Sequence, residues 1–115
     1  MRRILMAAVL ALGVMSSASL AHAAGVRVFV QHKVKDYATW RKAYNAFDAT
    51  RKKMGVTAQS VYRIDGEPNN VMITHDFATM DKAKAFAGSM ELKETMEKAG
   101  VDGAPTIWFT VKADK

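Results

Sequence analysis

Two histidines, His32 and His75, are the side chains best suited to chemistry near neutral pH, where an unperturbed imidazole changes charge. Each lies in an alternating apolar run, His32 in VRVFVQHKV (26–34) and His75 in VMITHDF (71–77), so each is expected on a strand. Pointing into one cavity, they could hold a metal ion, polarise a carbonyl or take a proton from a phenol-like hydroxyl. As hydrogen-bonded core or rim residues they would do none of these. A metal wants at least a third ligand, and Asp76 beside His75 points to the opposite sheet face by alternation, so no metal site is expected.

Other chemistry is excluded by what the chain lacks. With no cysteine there is no thiol nucleophile, disulfide, cysteine-ligated zinc, iron–sulfur cluster or c-type haem attachment. No phosphate-binding glycine loop, Gly-x-Ser-x-Gly elbow, His-Glu-x-x-His or EF-hand pattern occurs, so kinase and hydrolase chemistry have no parts to use.

Aromatic and thioether side chains surround this pair in sequence. Tyr37, Trp40, Tyr44 and Phe47 recur at helical spacing and read mainly as packing of a helix on a sheet. Tyr62 and Trp108, on strands, carry polar atoms that could meet a ligand inside the fold. Met54, Met72, Met80, Met90 and Met96 suit irregular packing or a plastic apolar pocket. Asp65, Glu67, Glu91, Glu94 and Glu97 fall in turns or alternate with lysines, where ion pairing explains them without catalysis.

The elements that must position these groups follow from periodicity. Val26 to Val34 reads as a strand; Asp36 then caps an amphipathic helix that runs to Gly55. Val56 to Asp65 forms a second strand, the turn formers of 66–70 reverse the chain, and Val71 to Phe77 returns. Thr79 and Ser89 cap two helical segments, Met80 to Gly88 and Met90 to Ala99, with a break at Gly88-Ser89. Gly100 is expected in a left-handed Schellman ending, and after a turn at 102–105 Thr106 to Lys112 is the last strand. The order β-α-β-β-α-β predicts a ferredoxin-like α+β fold, an antiparallel sheet with helices on one face and the first and third strands adjacent at its centre. Phe29, Val61, Ile73 and Phe109 spread over both sheet faces, so a second subunit is the natural cover for the face without helices.

The N-terminus bears on compartment. Arg2-Arg3, the apolar run Ile4 to Val14 and the small-residue site Ala21-His22-Ala23 match a secretory signal peptide, too short to span a bilayer. Residues 1–23 are expected to be cleaved, leaving one domain, 24–115, that is periplasmic or secreted and not held in a membrane. Its net charge falls from +6 to +4 with the loss of Arg2 and Arg3. The basic residues lack interleaved aromatic platforms, so nucleic-acid binding is not expected.

Several short patterns together carry a resemblance. They are His32-x-Val34-x-Asp36-Tyr37-x-x-Trp40, Phe47-Asp48, Pro68-Asn69-x-Val71, and His75-Asp76-Phe77 leading to Ala83-x-x-Phe86. Ser89-x-x-Leu92-Lys93-x-x-Met96 and Ala99-Gly100-Val101 complete the set. Over residues 26–112 the chain resembles the dimeric α+β barrel superfamily, in its antibiotic-biosynthesis-monooxygenase-like branch. The resemblance implies a homodimer whose sheets pair face to face around a cavity for a small apolar or aromatic molecule. It also implies activities that include cofactor-free oxygenation of phenols and quinols. In the haem-degrading members an asparagine, a tryptophan and a haem-ligating histidine stand where this chain has His32, Phe77 and Met96, so haem degradation is not implied and no cofactor is expected. Two classes of function follow. One is a cofactor-independent monooxygenase-like enzyme with His32 and His75 as acid/base or polarising groups and Phe77, Tyr62, Met96 and Trp108 around the ligand. The other is a non-catalytic periplasmic binding or dimeric interaction module.

Overall fold

The computed structural model describes residues 25–113; the expected leader, residues 1–23, lies outside them. Among the described residues the order is β1 (Val26–Val34), α1 (Tyr37–Ala46), α2 (Asp48–Lys53), β2 (Val56–Ile64), β3 (Glu67–Phe77), α3 (Met80–Ala87), α4 (Met90–Ala99) and β4 (Val101–Val111). The four strands form one antiparallel sheet in the order β2-β3-β1-β4, with the expected central pair β1 and β3. The helices cover one face, giving a ferredoxin-like α+β architecture.

Local signals set most boundaries. The Asp36 carboxylate accepts from the Thr39 amide at 2.9 Å, the Thr79 hydroxyl from Lys82 at 3.2 Å and the Ser89 hydroxyl from Leu92 at 3.0 Å, each satisfying a helix-end donor. Gly100 ends α4 at φ +87°, and its carbonyl accepts from the Lys35 amide at 2.9 Å, tying this end of α4 to the entry of α1.

Three expectations are corrected. The helix from Asp36 to Gly55 is two helices, because the chain opens at Phe47 and the buried Arg51 guanidinium takes the Tyr44 carbonyl. The reversal expected over 66–70 is the two-residue tip Asp65-Gly66, with Ile64 paired to Glu67, as Asp-Gly favours in a tight hairpin. Pro68, Asn69 and Asn70 are therefore strand residues. Asn69 instead accepts from the Tyr37 amide at 2.8 Å. The last strand starts at Val101, since residues 102–105 continue along β1 through a register shift between Gln31 and Lys33.

The core lies between sheet and helices. Val28, Val30 and Val34 of β1 and Val71, Ile73 and Phe77 of β3 bury against Trp40, Tyr44, Ala83 and Phe86. Trp40, 2 % exposed, is the largest of these anchors, and truncation of such a residue to alanine costs about 3–5 kcal/mol. The other face carries Arg27, Phe29, Met72, Tyr62 and Trp108, with Arg27 and Asp76 bridged at 2.6 Å. No helix among the described residues is long and apolar enough to cross a membrane.

Candidate functional site

β1 and β3 turn His32 and His75 to the same face, the one under the helices, where they are 6 % and 4 % exposed. Asp76 turns the other way and pairs with Arg27, as alternation requires. The register separates the two rings along the sheet. His32 stands opposite Val71, while His75 stands opposite Val28, four residues earlier on β1, an offset of about 13 Å at the usual strand rise. They flank a shared space from two ends.

Helix α1 bridges that offset with rings. The His32 ring centroid lies 5.7 Å from that of Trp40, Trp40 stacks on Tyr44 at 4.9 Å, and Tyr44 stacks on His75 at 6.1 Å. The Tyr44 hydroxyl is 3.0 Å from His75 Nε2. Burial raises the proton affinity of Tyr44, keeping it a phenol. With the hydroxyl donating, His75 carries its proton on Nδ1; in the other tautomer Nε2–H donates to the hydroxyl and Nδ1 is a free acceptor.

Behind Tyr44 lies Arg51, 2 % exposed, with its guanidinium carbon 3.6 Å from the centre of the Tyr44 ring. Its Nε donates to Gln59 at 2.8 Å and a terminal nitrogen to Asp48 at 3.2 Å. Gln59 also donates to Asp48 at 3.0 Å. This cluster ties α2 to the edge strand β2 and places a positive charge next to the tyrosine–histidine pair. Tyr44, Phe47 and Arg51 follow one another at helical spacing, and that was the available signal: an arginine on the apolar stripe, which a count of basic residues assigns to the surface.

Between helices and sheet lies a partly open cavity of about 60 Å³, lined by both histidines, Trp40, Tyr44 and Arg51 and bordered by Leu92, Thr95 and Met96 of α4. The walls are largely apolar, yet His32 Nδ1, His32 Nε2 and His75 Nδ1 are buried with no hydrogen-bond partner. Each such group costs about 1–3 kcal/mol unless something bonds it. The space admits about four waters or a small organic group, given roughly 10–15 Å³ per water-sized probe. Burial lowers both histidines to about 4, helped at His75 by the charge of Arg51, so both are neutral at pH 7.

The remaining expected ligand residues divide. Met96 lines the cavity, and Phe77 is buried on the same face but packs against Phe86 with centroids 5.4 Å apart, outside the cavity wall. Tyr62 and Trp108 are not in it: the pairings Tyr62 with Met72 and Trp108 with Phe29 put them on the open face, 58 % and 44 % exposed. Among the described residues no cluster of three or more histidine or acidic side chains is placed to hold a metal. At about 60 Å³ this cavity is far smaller than the roughly 300–1,000 Å³ common for drug-sized ligands.

No protein family and no curated protein matches the sequence. Solved structures do match in shape. A proposed antibiotic biosynthesis monooxygenase of Caulobacter crescentus superposes with a TM-score of 0.65 at 20 % identity, over 84 % of this chain and 96 % of that one. A conserved protein of Methanosarcina mazei gives 0.67 at 16 % identity, over 84 % and 100 %. SnoaB, a cofactor-independent oxygenase of Streptomyces nogalater, gives 0.60 at 10 % identity, over 76 % and 94 %. At such identities the likeness is one of fold, and the fold of this chain is that of the antibiotic-biosynthesis-monooxygenase-like α+β proteins.

Proposed function

We propose that the protein is an exported homodimer that binds a small aromatic hydroxyl compound between its helices and sheet and acts on it as a cofactor-independent oxygenase. The observation that carries this is a largely apolar cavity bordered by two buried histidines, three of whose ring nitrogens have no hydrogen-bond partner. Such nitrogens need a polar partner, and the walls favour an apolar body, so a ring bearing a hydroxyl satisfies both demands. SnoaB, alike in fold, lends the reading its reaction type.

In this mechanism the phenol or quinol supplies the electrons that reduce dioxygen, and the protein manages the proton. His75 receives the hydroxyl proton at Nδ1 in the tautomer that leaves this atom free, while Tyr44 holds the ring from the other side. Arg51 favours the phenolate electrostatically. His32, with both nitrogens free, orients the ligand. Exclusion of water strengthens each of these interactions.

A second reading, ligand carriage without turnover, is favoured by one observation: imidazoles at about 4 are weak bases toward a phenol. The homodimer is supported by the apolar open face, where Phe29, Met72, Tyr62 and Trp108 lie among polar neighbours. Export to the periplasm or medium rests on the sequence of residues 1–23.

The test offers catechol, hydroquinone and 1-naphthol to the protein and follows oxygen uptake and product absorbance. His75→Gln should lower turnover by about 10²-fold or more, as loss of a proton acceptor does, and His32→Gln should chiefly raise KM. Binding without oxygen uptake selects the carrier; neither binding nor uptake refutes both. Light scattering that gives a strictly monomeric mass at micromolar concentration refutes the dimer.

A further inference from the structure

The cavity is too small for most aromatic hydroxyl compounds as it stands. At about 60 Å³ it falls well short of the roughly 300–1,000 Å³ that ligand pockets commonly offer. The missing space lies next door. A groove of about 440 Å³ runs outside the cavity between the start of α4 and the first half of the edge strand β4, bordered by Ser89, Lys93, Gly103 and Ala104. Three side chains, Ala87, Met96 and Ile107, line the cavity on one side and the groove on the other. Ala87 has nothing to swing, and Ile107 is held on a strand with a branched, stiff side chain. Met96, half-buried, has three rotatable bonds and a soft thioether. Its helix is the natural one to yield, since Ala99 is the only fully buried residue of α4.

The geometry points to Met96 as the door between cavity and groove, and to an elongated ligand as the occupant of both: a phenol carrying an apolar tail. This rests on the reading of the cavity given above and adds the shape of what it takes. With Met96 rotated, the hydroxyl end reaches the free histidine nitrogens and the ring fills the cavity and the volume that the thioether vacates. The tail then lies along the groove. Lys93 and Glu97 at the outer rim leave the far end of the tail near water. Met96 thereby sets both access and tail preference, acting on specificity without touching the proton.

The experiment uses phenol, 4-ethylphenol, 4-butylphenol and 4-hexylphenol, with Kd from calorimetry and rates from stopped-flow fluorescence. With wild-type protein the affinity should rise up to about fourfold per added methylene while the tail remains in the groove. Met96→Phe should slow association at least tenfold for every member. Met96→Ala should speed association and dissociation together. Ala104→Trp, which fills the groove from an exposed position outside the cavity, should leave phenol itself within twofold and abolish the gain with tail length. Circular dichroism melts establish that each variant is folded. Binding that ignores tail length, with rates unmoved by either Met96 variant, would overturn the door while leaving the cavity reading intact. Failure of every phenol to bind the wild-type protein would overturn the cavity reading and the door with it.

Discussion

Mild acid should remove a calculable share of stability through two side chains. Burial holds His32 and His75 at about 4 in the folded protein, against about 6.5 in an unfolded chain. Between those values the unfolded state binds protons that the folded state refuses, so folding free energy is lost as the pH falls through this window and levels off below it. At 1.36 kcal/mol per pH unit, each histidine costs about 2 kcal/mol between pH 7 and pH 5 and about 3 kcal/mol over the whole window. The pair together amounts to about 4 kcal/mol at pH 5, a large part of the roughly 5–15 kcal/mol a domain has. Urea midpoints at pH 7, 6 and 5, at fixed protein concentration, measure this in wild type, His32→Gln, His75→Gln and the double variant. Glutamine approximates the size and hydrogen bonding of histidine and does not titrate. The wild type should lose about 4 kcal/mol, each single variant about 2 kcal/mol, and the double variant close to none. Asp36 and Asp48, held below the usual carboxylate range by Thr39 and by Lys52 and Gln59, lose their contributions chiefly at lower pH. A double variant as acid-sensitive as wild type would refute the assignment and place the relevant protons elsewhere.

Gly100→Val should cost about 1–2 kcal/mol through the left-handed backbone alone, because a Cβ there would meet only Lys35 at an ordinary 3.8 Å; an unchanged denaturation midpoint would contradict it. Arg51→Met should destabilise by about 1–3 kcal/mol, as the Tyr44 carbonyl and Gln59 lose their donor. The same change should raise the pKa of His75 more than that of His32, since the Arg51 charge is among the causes lowering only the former. Histidine ring shifts followed by NMR against pH would show it, and equal shifts at both rings would count against the geometry.

The chain announced its local features and hid its pairings. Asp36, Ser89 and Gly100 act through neighbours three or four residues away, so their roles were legible from residue type and position. The face of each histidine was left open by the sequence, and the ladder settles it: His32 shares the parity of Val28 and Val30 and His75 that of Ile73, all under the helices. The four-residue offset between them was not legible either, because register depends on how two distant strands slide. Tyr62 and Trp108 are good ligand side chains by type, and only the ladder shows that they stand on the open sheet face and not on the face of His32 and His75. Pro68, Asn69 and Asn70 misled by composition: Asn69 accepts from the Tyr37 amide and Asn70 from the Gln31 side chain, distant contacts that the sequence does not show. Arg51 was hidden by its charge, which reads as solvent-facing until its partners are in view.

The sheet closes between its two most distant strands. β4 completes the layer by lying against β1, and the Thr110 hydroxyl reaches the Arg27 carbonyl across 83 residues of chain at 2.6 Å. The consequence is one of timing. Contacts so far apart form late, because most of the loop entropy must be spent before they return anything. During synthesis the first strand emerges early and waits, one edge without its neighbour, until the final residues follow.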